Sequence, residues 1–166
     1  MNKTQKAILN IIIAFIVCLY IAPFSKAFLD ADKEIARKNP NSNFAKGIAQ
    51  NPKYSVTDDD RIFIKNNSST IFAQELAANA SYVVREDDKT FAQNNPDSSF
   101  AEGIAKNSTY LIRAVDKEFT RKNPSTKFST SLVSNPHYII EQVDRDYARN
   151  NPNSNIVEQL TKNPSY

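Results

Sequence analysis

Five acids stand beside five bases at one interval: Asp32-Lys33, Asp60-Arg61, Asp88-Lys89, Asp116-Lys117 and Asp144-Arg145, each pair 28 residues after the last. An acid next to a base can build a charged binding surface or an ion-pair ladder. If successive segments stack, Asp of one would meet the base of the next, and exposed pairs of that kind contribute only about 0 to 1 kcal/mol each. The ladder is the simpler expectation, because regular stacking alone produces it. The alternative is a repetitive charged surface for a repetitive partner. Tyr54, Tyr82, Tyr110, Tyr138 and Tyr166 recur at the same interval. They could form a binding stripe, but a ring in the first turn of a helix, beside apolar partners and with its hydroxyl on a neighbouring segment, favours packing.

Other chemistry is thin. The clusters Asp58-Asp59-Asp60 and Glu86-Asp87-Asp88 lack the alternating oxygen ligands and glycine turn of a calcium loop, and the matching residues Ala114 and Val115 carry no acid. They are expected on the exposed side of a helix, and no metal or other cofactor is expected. His137 is the single histidine, expected to be exposed at a helix start beside Pro136, with no Ser-His-Asp grouping around it. Gly47 and Gly103 are the two glycines, too few for a phosphate loop. They share a column with Glu75, Ser131 and Gln159, which suits a close helix crossing. The sequons at Asn66, Asn67, Asn79 and Asn107 mostly coincide with columns read as helix caps. The chain is therefore expected not to be an enzyme.

The elements that would hold these residues are legible in the same period. Two asparagine columns run through the chain, Asn39, Asn67, Asn95, Asn123, Asn151 and Asn51, Asn79, Asn107, Asn135, Asn163. Apolar columns recur by type: Ile35, Phe63, Phe91, Phe119, Tyr147; Phe44, Phe72, Phe100, Phe128, Ile156; Ile48, Leu76, Ile104, Leu132, Leu160; and Val56, Val84, Ile112, Ile140. These are the expected core. Within one period, Tyr110, Leu111, Ala114, Val115 and Phe119 are spaced as one face of a helix over residues 109–122, and Phe128 with Leu132 marks a shorter helix over 126–134. Asn-Pro steps would close one helix and open the next, since Asn tolerates left-handed backbone and caps helices while Pro suits a first turn. The pairs Asn41-Ser42, Ser69-Thr70, Asp97-Ser98, Ser125-Thr126 and Asn153-Ser154 offer further caps for the shorter helix.

A helix pair this small cannot bury its apolar face alone, so stacking must complete the core. The expectation is an all-α protein: five helix-turn-helix units of 28 residues forming an αα-solenoid over 28–166, on the order of 50 Å long. The architecture resembles tetratricopeptide-type arrays at the level of stacked helix pairs only. The 28-residue period and the Asn-Pro steps depart from their unit of about 34 residues and its Trp, Gly, Ala and Pro pattern.

Residues 1–27 read differently. Met1 to Lys6 is a short basic start, Ala7 to Ala22 is apolar but for Asn10, and Pro23 ends the run. Small residues at Ser25 and Ala27 suit cleavage before Phe28, which would leave 139 residues (166 − 27), one short of five periods. The readings are a cleaved signal peptide, an uncleaved anchor through residues 7–24, or a buried core helix. Either of the first two places the repeats outside the cytoplasm. Cys18 lies in this run, so the repeats hold no thiol and no disulfide. The net charge of +3 also lies here: of 21 Lys and Arg, Lys3, Lys6 and Lys26 fall in 1–27, leaving 18 against 18 Asp and Glu. A neutral repeat region argues against nucleic-acid binding. The expected function is an exported or membrane-tethered scaffold binding protein or peptide along its surface. The alternative is a structural protein stacking head to tail through uncapped ends, since the final unit keeps Tyr147, Ile156, Val157 and Leu160.

Overall fold

The computed structural model describes residues 30–166, and among them it is all-helical, with no strand. Helix α1 covers 30–38, followed by α2 (Asn43–Gln50), α3 (Asp58–Asn66), α4 (Ile71–Ala78), α5 (Glu86–Asn94) and α6 (Ser99–Lys106). Then come α7 (Ala114–Lys122), α8 (Lys127–Val133), α9 (Gln142–Asn150) and α10 (Val157–Lys162). The readings of residues 1–27, including Cys18, the cleavage site and the 7–24 span, lie outside the described residues. No helix among the described residues is long and apolar enough to cross a membrane.

Helices α3, α5, α7 and α9 begin later than their apolar spacing predicts. Residues 110–113 are non-helical, and α7 starts at Ala114 rather than near 109. The reason is local chemistry. The Asp116 carboxylate accepts the Arg113 N–H at 2.8 Å, satisfying one of the free donors at the helix start, and also accepts the Tyr110 hydroxyl at 2.9 Å. Residues six apart on a helix point about 240° from each other, so Tyr110 and Asp116 can meet only if the helix begins between them. The tyrosines therefore stand before the helices, not in their first turns. Leu111 and Val115, expected on the buried face, are 66% and 64% exposed.

The helix ends follow a fixed plan. Asn67, Asn95, Asn123 and Asn151 are the C-cap residues of α3, α5, α7 and α9. Each turns both its backbone N–H and its side-chain amide onto the carbonyl four residues back, at 2.9–3.0 Å, as on Phe63 and Phe119. Asn39 does the same to Ile35. The next helix is opened three residues beyond that asparagine. The hydroxyls of Ser42, Thr70, Ser98 and Thr126 accept the N–H groups of Ala45, Ala73, Ala101 and Ser129 at 3.1–3.3 Å. Pro40, Pro96 and Pro124 thus lie in the turn, not in a first helical turn. None of the described residues adopts positive φ, so the asparagines end helices without left-handed backbone; Asn51, for example, has φ −63° and ψ 122°.

The even-numbered helices pack on one another in chain order, α2 on α4, α4 on α6, α6 on α8 and α8 on α10, and α4, α6, α8 and α10 are each also covered by the helix before them. Small residues make this approach close: Ala45, Ala49, Ala73, Ala77, Ala101 and Ala105 are fully buried. At Gly103 a Cβ would stand 2.1 Å from the Gln74 carbonyl oxygen, so the crossing of α6 on α4 requires glycine; at Gly47 nothing lies within 4 Å, and no crossing explains it. The core is Phe72, Phe100, Phe128, Leu76, Ile104 and Leu132, all at 0% exposure, each worth roughly 1.5–3 kcal/mol of burial. Each Phe sits between two rings, as Phe100 does with Tyr82 at 6.3 Å and Phe91 at 5.4 Å. The first members of two core columns depart from expectation: Ile35 is 49% and Phe44 44% exposed, because no preceding pair among the described residues covers them.

Candidate functional site

Four of the five acids of the charged column build a buried interlock, not an exposed ladder. In Asp60, Asp88, Asp116 and Asp144, Oδ2 accepts the N–H of the residue three before it, Thr57, Arg85, Arg113 and Glu141, at 2.8–3.0 Å. Oδ1 accepts the hydroxyl of Tyr54, Tyr82, Tyr110 and Tyr138 at 2.7–3.2 Å. It also faces a donor 23 residues earlier: Arg37 at 2.6 Å, Lys65 at 2.8 Å, Gln93 at 3.1 Å and Arg121 at 2.6 Å. These four carboxylates and the four tyrosine rings are at most 2% exposed. The clusters of acids therefore split, with Asp58, Asp59, Glu86 and Asp87 in solvent and Asp60 and Asp88 inside.

At Asp60 burial and the donors pull oppositely on the carboxyl. Burial pushes the Asp60 pKa up, but hydrogen bonds from Tyr54, Thr57 and Arg37 outweigh it and hold it below the usual value. For Tyr54, Tyr82, Tyr110 and Tyr138, burial first and the neighbouring Asp second both push the phenol well above its ordinary range. They remain neutral hydroxyl donors.

The bases beside these acids act elsewhere than expected. Lys33, Arg61, Lys89, Lys117 and Arg145 lie over the rings of Tyr54, Tyr82, Tyr110, Tyr138 and Tyr166, with the cation 4.1–5.5 Å from the centroid. The first four donate to the carbonyl oxygens of Ser55, Val83, Leu111 and Ile139 at 2.6–2.8 Å, while Arg145 reaches Ser165 at 3.0 Å. Direct contact with an acid of this column occurs only for Lys33 with Asp60 (3.5 Å) and Arg61 with Asp88 (2.8 Å), and runs from base to following Asp, opposite to the expected direction. Lys89 and Lys117 meet Glu86 and Glu141 instead. Asp32, half-exposed, has no partner among the described residues. The donors come instead from Arg37, Lys65, Gln93 and Arg121, a column continued by Arg149: long donor side chains at the same 28-residue interval are the signal that could have found them.

The second asparagine column is a ladder as well as a helix end at Asn51, Asn79, Asn107 and Asn163; Asn135, expected as a cap, stands one residue beyond the C-cap of α8, which is Ser134. The Asn79 amide donates to Ala49 O (2.7 Å) and Asn51 O (3.0 Å), Asn107 to Ala77 O and Asn79 O, Asn135 to Ala105 O and Asn107 O, and Asn163 to Val133 O and Tyr138 O. Their Oδ1 atoms, and that of Asn51, accept the N–H two residues on.

Part of the exposed surface is apolar. Val83, Leu111 and Ile139 occupy one column just after the buried tyrosines and are 60%, 66% and 67% exposed; Val115 and Val143 follow four residues after Leu111 and Ile139 and are exposed too. His137 is exposed in the Asn135 turn, not at a helix start, and among the described residues no cluster of His, Cys, Asp or Glu could hold a metal. An open cleft of ≈ 380 Å³ near the C-terminus, lined by Val133, Tyr138, Ile139, Gln159 and Lys162 among others, brings together no acid, base and nucleophile. Comparison with family models, curated proteins and solved structures finds no match to this chain.

Proposed function

We propose that the chain is a solenoid of five 28-residue helix pairs that binds a protein or peptide along the apolar stripe formed by Val83, Leu111, Val115, Ile139 and Val143. The stripe carries the reading. Large aliphatic side chains left in water at one register, beside tyrosines that are buried at the same register, are what a contact surface needs and a solvated face does not. The buried interlocks hold the segments at fixed spacing, so the stripe is presented by rigid elements. Its placement outside the cytoplasm follows from the basic start and apolar run of residues 1–27.

The test is a photo-crosslinking residue at Leu111 or Ile139, and as control at Ile62, which is 60% exposed but lies outside the stripe. The full chain is expressed in the cell that makes it. The stripe positions are expected to give one discrete protein adduct, lost in Val115→Ser and Val143→Ser variants, while Ile62 gives none. No adduct at either stripe position, or the same adducts at all three, refutes the reading.

A further inference from the structure

The two ends of the described fold carry complementary halves of the contact that recurs inside it. Phe44 is the exposed member of a column whose Phe72, Phe100 and Phe128 are fully buried. Tyr166 is 43% exposed, whereas Tyr54, Tyr82, Tyr110 and Tyr138 are at most 2% exposed. Inside the fold these two columns meet, Tyr54 on Phe72 at 6.3 Å, Tyr82 on Phe100 at 6.3 Å and Tyr110 on Phe128 at 6.1 Å. Polar groups show the same division. Arg149 stands one period after Arg121 and holds only the exposed Asp146, while Asp32 stands one period before Asp60 with no partner among the described residues. The Asn51 amide likewise has no acceptor among the described residues, whereas Asn79 and Asn107 each reach two carbonyls of the preceding pair.

We infer that a second copy of this chain docks its Tyr166 end on the Phe44 end, in the register of the internal contacts. The inference rests on the stacked-pair reading above but not on the apolar stripe. Carried over by the period, Tyr166 packs edge-on against Phe44 of the second copy and its hydroxyl donates to Asp32, as Tyr54 does to Asp60. Arg149 supplies the cation that Arg37 gives Asp60. The Asn51 amide reaches the carbonyls of Thr161 and Asn163, as Asn79 reaches those of Ala49 and Asn51. Gly47 falls opposite Thr161, in the relation of Gly103 to Ala77, where a Cβ would lie 3.0 Å from the Ala77 Cβ. The open space at Gly47 accepts the larger threonine. Because the contact joins two different surfaces, it does not close on itself and produces chains of copies.

The experiment places Gly47→Cys and Thr161→Cys in the full chain carrying Cys18→Ser. Helices α4, α6 and α8 separate α2 from α10, so the two thiols cannot pair within one copy. Oxidation is expected to give a ladder of multimers, with the 47–161 disulfide peptide identified by mass. Each single-cysteine variant stops at dimer. Arg149→Asp and Asp32→Arg should each lower the multimer yield at least tenfold. Crosslinked Leu111 or Ile139 stripe variants should leave the ladder unchanged, so its failure is separable from failure of the stripe. The inference is overturned if both thiols react with maleimide yet no 47–161 disulfide forms. It is equally overturned if the thiol introduced at position 47 is shielded without multimers, which would mean the chain's own residues 7–22 cover that face, or if neither Arg149→Asp nor Asp32→Arg lowers the multimer yield.

Discussion

Asp88 and Asp116 occupy equivalent places with different company, and replacing each by Asn should have unequal effects. Both carboxylates are buried, at 0% and 2% exposure. Asp88 meets two cations, Arg61 at 2.8 Å and Lys65 at 2.8 Å, besides the Tyr82 hydroxyl and the Arg85 N–H. Asn keeps one oxygen for Arg85 and Arg61, and its amide then faces Tyr82, which can rotate to accept, and the Lys65 ammonium, which cannot. Removing one partner of a buried pair costs about 3–5 kcal/mol; because Lys65 retains Asp87 at 2.6 Å, Asp88→Asn is expected near the low end, about 3 kcal/mol. Asp116 has only neutral partners: Gln93, whose amide can turn its oxygen inward, Tyr110 and the Arg113 N–H. Asp116→Asn should cost about 1 kcal/mol, the worth of one neutral hydrogen bond. The difference of about 2 kcal/mol is roughly 30-fold in the unfolding constant. Urea titration followed by far-UV circular dichroism measures both, and since the sites lie in α5 and α7, away from the ends, local fraying affects them alike. Equal midpoints, or a larger loss for Asp116→Asn, would refute the assignment of cations to the hubs.

Gly103→Ala forces a Cβ onto the Gln74 carbonyl and should destabilise by about 1–3 kcal/mol, whereas Gly47→Ala gains helix propensity of about 0.5–1 kcal/mol in open space; paired melting temperatures should move in opposite directions. Asn107→Asp replaces an amide that donates to Ala77, Asn79 and Tyr82 carbonyls by an acceptor of the same shape, so it should lower the urea midpoint more than Asn107→Ala does. Since the Asp60 pKa is lowered on folding, its contribution is present above the ordinary carboxylate value of 3.8 and is lost as pH falls below it. Asp60→Asn should flatten that acid limb in a pH series of melts. The buried tyrosines have raised pKa values, so their contribution is present below the ordinary value of 10.0 and is lost at higher pH. Phenolate absorbance should rise together with alkaline unfolding, and a rise of all five repeat tyrosines in the native state would contradict it.

The helices and most of the core were legible because burial repeats by type: Phe72, Phe100 and Phe128, with Leu76, Ile104 and Leu132, can be read as a face without knowing what covers it. Where α7 begins was not, because apolar spacing counted Leu111 and Val115 as core. The contrary signal was present as Asp116 at the third helical position, an acid where free N–H groups await one. The direction and burial of the charged contacts were hidden for a different reason. Asp and Lys at adjacent positions read as solvated surface, and only the three-dimensional approach of Arg37 to Asp60 or Lys65 to Asp88 reveals that acid and cation belong to neighbouring pairs. Asn107 looked like a cap and is one, but its second role depends on carbonyls 28 and 30 residues away.

A hub that takes its acid and tyrosine from one side and its cation from the pair before it is incomplete in either pair alone. Stability should therefore spread between neighbours, and loss of one hub should loosen two pairs. Yet the hubs are nearly interchangeable. Arg37, Lys65 and Arg121 present the same cation to the same carboxylate, and only Gln93 breaks the series with a neutral donor. Side-chain chemistry thus does little to say which pair should neighbour which. The short turns between pairs do, because Asn79 to Tyr82, or Asn107 to Tyr110, leaves no slack for a pair to be skipped. The one pairing that no turn dictates is that of Arg149 and Tyr166 with Asp32 and Phe44, where only matching surfaces can choose.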